Sequence, residues 1–304
     1  MTIEEARGRI RGSVVPLVTP FSESGEIDDV AFGRLVDWQI DEGSHGISVT
    51  GTTGEPSALS LDERERMISL AVQRTAGRVP VVVGTGTNNH RETIRLTKYA
   101  EKEGADAALV IVPYYNKPSQ EGLFQHLRSV AESVAMPIII YNIPGRTAVN
   151  LEVPTLVRLV EACSNVIGVK EANVNLQQVS DELLALGPDF LVFSGIEALC
   201  FPMLALGGAG HVSATANVAP RLVARLYDLC REGRWEEARS LHYRLLPLNE
   251  ALFLETNPGP VKWAMGQLGK ITPTLRLPLV PPTPPHQEAI RDAMRGLGSL
   301  EVRA

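Results

Sequence analysis

Three cysteines in 304 residues, at positions 163, 200 and 230, form no CxxC pair and no zinc-type spacing. So sparse and odd a count suits a reducing compartment, with each thiol acting as a small buried apolar group. Hydrophobic runs are short, because Gly, Pro or a charge interrupts each one before about 18 apolar residues accumulate, so no membrane span is expected. Met1–Arg11 mixes Glu and Arg without an apolar stretch and does not read as a secretory signal. Positive charge is not in excess either. Lys and Arg total 29 against 35 Asp and Glu, a net charge of −6, which gives no electrostatic footprint for nucleic acid. Six scattered histidines (45, 90, 126, 211, 242 and 286) include no HExxH, and no metal site is expected. GxxxxGK[ST] and GxSxG are absent, and Gly84-Thr-Gly-Thr-Asn-Asn89 has Asn89 where a dinucleotide turn needs its third glycine. With 44% hydrophobic and 21% charged residues, the expectation is a soluble cytoplasmic globular protein.

Eight short runs rich in Val, Ile and Leu are present. They are Ser13–Val18, Gly46–Val49, Val79–Val83, Ala107–Val112, Pro137–Tyr141, Val166–Lys170, Phe190–Ser194 and Gly210–Ala214. Most are continuously apolar rather than alternating, as in strands of a parallel sheet covered on both faces. Their starts lie about 20 to 33 residues apart, the length of a βα unit. Helix-like spacing fills the intervals. In Leu61–Thr75, for example, Met67, Leu70, Ala71 and Arg74 recur behind a cap at Ser60 with Glu63 three residues on. Polar and glycine-rich segments follow many of the runs, and so many strand ends converge only in a ring. A (β/α)8 TIM barrel with a C-terminal helical extension is therefore expected, in preference to a doubly wound open sheet. The barrel is assigned to residues 1–225 and the helical region to 226–304. In the latter, Trp235–Thr256 and Gly259–Leu268 read as helices, and the proline-rich Pro278–Pro285 reads as a stiff link to a last helix near Arg295.

Lys170 closes the run Val166-Ile-Gly-Val-Lys170. An amine at the end of a buried strand is costly unless paired or neutral. Three readings follow: an ion pair with Glu171, a strand that ends one residue earlier, or a desolvated amine that attacks a carbonyl to form a Schiff base. Alternation along the strand argues against the first. Tyr141 ends the preceding run, where its hydroxyl is either a packed, hydrogen-bonded tip or a proton donor beside the amine. Gly51-Thr-Thr-Gly54 offers hydroxyls and backbone N–H groups, as a carboxylate cradle or only a tight turn.

Gly51-Thr-Thr-Gly-Glu55, Pro113-Tyr-Tyr-Asn-Lys-Pro118, Tyr141-Asn-Ile-Pro-Gly-Arg-Thr147 and Gly168-Val-Lys-Glu-Ala172 occur in order with barrel spacing. Together they resemble the dihydrodipicolinate synthase and N-acetylneuraminate lyase superfamily of pyruvate-dependent class I aldolases. The resemblance extends through Gly207-Gly-Ala-Gly-His-Val-Ser-Ala-Thr-Ala-Asn217 and Asn257-Pro-Gly-Pro-Val-Lys-Trp263. It implies that Lys170 forms the imine with pyruvate, so that no separate cofactor is needed, and that Tyr141 moves protons beside it. Thr52 and Tyr115 match the other members of a hydroxyl relay. Tyr115 matches a tyrosine that crosses from a neighbouring subunit, which implies an oligomer, usually a homotetramer built as a dimer of dimers. Thr53 and Val212 match positions that hold pyruvate, and Gly195 one kept small for that ligand. Arg146 matches the synthase-branch arginine that takes the carboxylate of aspartate semialdehyde.

The implied reaction is condensation of pyruvate with L-aspartate 4-semialdehyde to 4-hydroxy-tetrahydrodipicolinate, in lysine biosynthesis. Two departures lie near the mouth: Gly54-Glu-Pro56 in place of Gly-Glu-Ser, and Ile196-Glu197 in place of two aspartates. They keep open another aldolase or dehydratase of the superfamily, acting on a sugar-derived or aromatic 2-oxo acid. A non-catalytic 2-oxo-acid binder is the alternative of another class. Asn88, Glu92 and Tyr114 match an allosteric lysine pocket. Leu61 and Arg64 stand where lysine-sensitive members often carry histidines, so weak or absent lysine inhibition is expected.

Overall fold

The computed structural model describes residues 2–298; Met1 and 299–304, within the two expected divisions, lie outside the described residues. Eight strands alternate with helices along the chain. The strands are β1 (Gly12–Pro16), β2 (Gly46–Val49), β3 (Val81–Gly84), β4 (Ala107–Ile111), β5 (Ile138–Asn142), β6 (Val166–Glu171), β7 (Leu191–Ser194) and β8 (Gly210–His211). All pairings are parallel, and β8 returns to β1 through Gly12↔Gly210, closing the barrel in sequence order. Helices α1 (Ile3–Arg9), α2 (Asp29–Asp41), α3 (Leu61–Thr75), α4 (His90–Glu103) and α5 (Gln120–Glu132) come first. They are followed by α6 (Pro144–Thr147), α7 (Val153–Ala162), α8 (Leu176–Leu186), α9 (Cys200–Ala205) and α10 (Pro220–Arg231). Beyond the barrel lie α11 (Trp235–Ala251), α12 (Gly259–Gln267) and α13 (Pro284–Leu297).

Each apolar run overlaps its strand, and the differences are at the ends: β1, β3, β5 and β6 each reach one residue beyond their runs. β1 stops at Pro16 and β8 is only two residues long; the next N–H groups, of Leu17 and Val212, still donate to Ser48 and Ser194 on the neighbouring strands before the chain turns away to build the mouth. The helix expected over Trp235–Thr256 ends at Ala251. Pro284 and Pro285 open α13 instead of extending the linker, since the missing N–H is harmless in a first helical turn. The short α1, which has no apolar run, carries a Thr2–Glu5 capping box. Its Ala6 and Ile10 join Val14, Val82, Leu109, Ile139, Ile167 and Phe193 inside the barrel. The larger core lies outside, between the strands and the helical ring. No helix among the described residues is long and apolar enough to cross a membrane.

One irregularity positions the chemistry. Along β6, Ile167 faces the barrel interior while Val166 and Val169 pack outward, so simple alternation breaks between them. The pairing with β5 jumps from Ile138↔Val166 to Ile139↔Gly168, which is the extra residue of a bulge. Strict alternation from Ile167 would turn Lys170 outward; the bulge returns it to the inside, paired with Tyr141. Gly168 permits this, since a Cβ there would meet the Leu191 carbonyl oxygen at 2.4 Å.

Candidate active site

Lys170 and Tyr141 occupy the carboxyl ends of adjacent strands, both almost fully buried. The Lys170 Nζ lies 4.1 Å from the centre of the Tyr141 ring. Lys170 makes no ion pair among the described residues, and Glu171 points to the opposite side of the sheet. The structural ion pair considered from sequence is therefore not formed. An amine held this way, close to a phenol and out of bulk water, is placed to act as a nucleophile.

Gly195, just after β7, leaves room for the lysine itself. A Cβ there would stand 2.9 Å from Lys170 Cε and 2.8 Å from the Ala172 Cβ. That contact is a nearer reason for glycine than approach by a ligand. Glu197, noted in the sequence only as a departure, is buried one turn further on. Its Oε1 accepts from the Ala214 N–H at 2.7 Å. Burial raises the Glu197 pKa, and the Lys170 charge works in the opposite direction. Sequence offered no signal for this side chain beyond its acidity.

Gly51-Thr-Thr-Gly54 folds into a single 3-10 turn between Thr50 and Glu55, both with left-handed φ (53° and 54°). Thr52 lines a cavity of about 430 Å³ together with Tyr141 and Arg146. Thr53 is buried to one side, where its Oγ1 accepts from Asn257 Nδ2 at 3.0 Å; its own proton is left to donate. Val212 follows β8, buried within the interior cluster, and its N–H donates to the Ser194 carbonyl at 2.8 Å. Arg146 is exposed at the cavity rim on α6.

The same cavity reaches Pro56, Leu61, Arg64, Glu92 and Tyr114. Arg64 is 5% exposed, donates to the Gly84 carbonyl at 3.1 Å and leaves its Nε buried without a partner. Its desolvation lowers the guanidinium pKa, against the pull of Tyr114 and Glu92. Asn88 does not line this space; its carbonyl accepts from Asn116 at 3.2 Å. Tyr115 is 89% exposed with φ 72° and does not line the cavity of its own chain.

Sequence reasoning left the job of the C-terminal helices open. The structure brings them to the barrel mouth. Lys262 of α12 donates to Glu55 Oε1 at 2.6 Å and to the Thr19 carbonyl at 2.8 Å, with both charged side chains wholly buried. Arg276 donates through both terminal nitrogens to Glu63 and also to the Gly25 and Ala58 carbonyls. That guanidinium pulls the Glu63 pKa down to about 2. The threonine turn is thus held from behind by residues more than 200 positions later. Among the described residues no cluster of three or more His, Cys, Asp or Glu is arranged to hold a metal ion.

A closed (β/α)8 barrel with a lysine and a tyrosine side by side at its carboxyl mouth defines an enzyme-like scaffold for amine–carbonyl chemistry. The family model for the dihydrodipicolinate synthetase family matches residues 9–296, and the chain belongs to that family. A 4-hydroxy-tetrahydrodipicolinate synthase of Bradyrhizobium diazoefficiens is 46% identical over 295 residues, 97% of this chain and 99% of the relative. The crystal structure of dihydrodipicolinate synthase from Aquifex aeolicus superposes with a TM-score of 0.94 at 44% identity, covering 96% of this chain and 100% of that one. The chloride-inhibited dihydrodipicolinate synthase of Acinetobacter baumannii, solved with pyruvate, gives 0.93 at 40% identity over 96% of this chain and 100% of its own.

Proposed function

We propose that this protein is a cytoplasmic Schiff-base aldolase that condenses pyruvate with L-aspartate 4-semialdehyde to give 4-hydroxy-tetrahydrodipicolinate. The observation that carries the reading is the buried Lys170 amine, free of any ion pair among the described residues, against the Tyr141 ring. Lys170 attacks C2 of pyruvate, and loss of water leaves an imine on the enzyme. Tyr141 gives a proton to the departing oxygen, and Thr52 passes it along the cavity wall. The imine nitrogen then accepts the electron pair released when C3 gives its proton to the Tyr141 oxygen, which returns it to the aldehyde oxygen in the next step. The resulting enamine forms the new bond to the aldehyde carbon. The amino group of the condensed chain next attacks C2, expels Lys170 and closes the ring, so the enzyme is restored and no separate cofactor enters the balance.

Thr53 and Val212 border the place assigned to pyruvate. Tyr115 is turned outward in a single chain, which supports its delivery to a second copy and a homotetramer built from such pairs. The catalytic barrel is taken as 1–225 and the helical region as 226–304.

Arg146 is assigned the semialdehyde carboxylate, because an exposed guanidinium at the rim can make two parallel hydrogen bonds to it. Arg146→Ala is expected to raise KM for the semialdehyde about tenfold or more, as for loss of a charged hydrogen bond of about 1.5–3 kcal/mol. KM for pyruvate should hold. Steady-state kinetics with each substrate varied separately read this out. Absence of any condensation, with pyruvate still trapped on the wild-type enzyme, would rule the second substrate out.

The stretch of cavity formed by Arg64, Leu61 and Pro56 beside Glu92 and Tyr114, with Asn88 nearby, is assigned no lysine control. A buried guanidinium repels a cationic effector, and Leu61 and Pro56 offer it no side-chain acceptor. Added L-lysine should leave the condensation rate nearly unchanged; half-maximal inhibition at sub-millimolar lysine would contradict this.

A further inference from the structure

Behind the barrel wall, the residues that follow Tyr141 and Lys170 meet each other. Asn142 Nδ2 donates to the two oxygens of Glu171 at 3.1 and 2.9 Å. Asn142 is itself held, since its Oδ1 accepts from the Leu151 N–H at 3.0 Å and its Nδ2 lies 2.8 Å from Asn150 Oδ1. From α8, Gln178 Nε2 reaches Glu171 Oε2 at 3.3 Å, Glu182 Oε1 at 3.1 Å and the Leu151 carbonyl at 3.1 Å. Glu171 is 0% and Glu182 1% exposed.

Neither acid has a cationic partner among the described residues. Asn142, Asn150, Asn173 and Gln178 around them are neutral, Asp181 on α8 adds a like charge beside Glu182, and Lys170 faces the other side of the sheet. Two adjacent buried carboxylates without a cation are prohibitively repulsive. Glu182 Oε2 is buried with no hydrogen-bond partner among the described residues, so a carboxylic proton between the acids would satisfy it.

We propose that Glu171 and Glu182 share one proton and that this acid–carboxylate pair, strapped to Asn142, is a positioning element that fixes the Lys170–Tyr141 register from behind. It rests on the reading of Lys170 and Tyr141 as the aldolase site. The strap lies one residue beyond both side chains, so slackening it lets β5 and β6 shift where the amine must meet a carbonyl. A misplacement of about 1 Å can cost on the order of a hundredfold in rate. Burial, reinforced by the neighbouring Glu182 charge, holds the Glu171 pKa well above the usual carboxylate range. A carboxyl whose folded pKa is raised stabilises fully below its unfolded value and loses that contribution as pH climbs toward the folded one.

Three measurements test this. Infrared difference spectra of wild type against Glu182→Gln at neutral pH should show a protonated-carboxyl carbonyl stretch that is present only in the wild type. The fall in unfolding midpoint between about pH 5 and 7.5 should be steeper in the wild type than in Glu182→Gln. Glu171→Ala, and Asn142→Ala should the first variant not fold, should lower kcat about tenfold or more with KM for pyruvate within about threefold. Glu171→Gln, whose amide imitates the protonated acid, should recover most of that loss. Absence of the carbonyl band, or a folded Glu171→Ala or Asn142→Ala with wild-type kcat, overturns the proposal. A pyruvate adduct that still forms in Lys170→Ala would instead overturn the site assignment beneath it.

Discussion

Lys170→Ala is expected to lower kcat for condensation by on the order of 10⁴-fold or more and to abolish the pyruvate adduct trapped by borohydride. Alanine deletes both the nucleophile and the nitrogen that accepts electrons when C3 of pyruvate is deprotonated. No other buried lysine among the described residues can substitute, because Lys262 is engaged with Glu55 at 2.6 Å and lies behind the threonine turn. Folding should be spared. Lys170 has no ion pair among the described residues to lose, and burial already raises the pKa of Glu197, the carboxyl on which its charge acts, so removal of the amine breaks no buried pair. Reduction in the presence of pyruvate, followed by peptide mass spectrometry, reads the result directly. An adduct that persists on a different residue would transfer the imine chemistry there, and reversible pyruvate binding without any wild-type adduct would favour a binding protein.

The second large effect falls on stability. Lys262→Met should destabilise the protein by about 3–5 kcal/mol, the range for breaking a buried pair from one side. Glu55 would remain at 0% side-chain exposure, with only the Arg276 N–H at 3.3 Å as a donor. Adding Glu55→Gln to Lys262→Met should recover much of the loss, since the double variant buries no orphan charge. Denaturant unfolding of the two single variants and the double variant measures the coupling; equal stability of wild type and Lys262→Met would contradict the pair's importance.

The pH dependence of this pair has a definite sign. Burial holds the Lys262 pKa at about 8, below the ordinary 10.5. Between those values the unfolded chain keeps a proton that the folded chain has released, so this group's contribution to stability rises with pH there. Lys262→Met should remove that slope. Because Glu55 immediately follows Thr52-Thr53-Gly54, the variant should also weaken pyruvate binding.

Much of the scaffold could be read along the chain. Continuous Val/Ile/Leu runs mark strands covered on both faces, and Ser60 with Glu63 marks the start of α3, where both capping hydrogen bonds form. Strand ends were less legible, because β1 and β8 end where the chain turns into the mouth, although apolar residues continue. Lys170 and Tyr141 could be singled out because an amine and a phenol at the ends of buried strands are costly choices. Glu171 could not be separated from a solvated neighbour of Lys170. Its burial depends on Asn142, 29 positions earlier, and on Gln178 and Glu182 one helix later. Glu55 looked like part of a turn motif, and nothing local shows that its counterion is Lys262, 207 positions away.

The sequence by itself determined the barrel's eight units, the ordered motifs at their carboxyl ends and the lysine that closes a buried strand. These depend on local composition and on a repeat of strand and helix, which short-range sterics and burial dictate. The tertiary structure alone decided which way that amine points. Period-two alternation from Ile167 would face Lys170 toward the helices; the bulge at Gly168 turns it inward, and its location depends on the β5 and β7 backbones pressed against it. The same holds for the two buried lysines. Lys262 lies wholly buried in an ion pair, and Lys170 at the mouth has no ion-pair partner among the described residues, a distinction created only by which distant carboxylate each one meets.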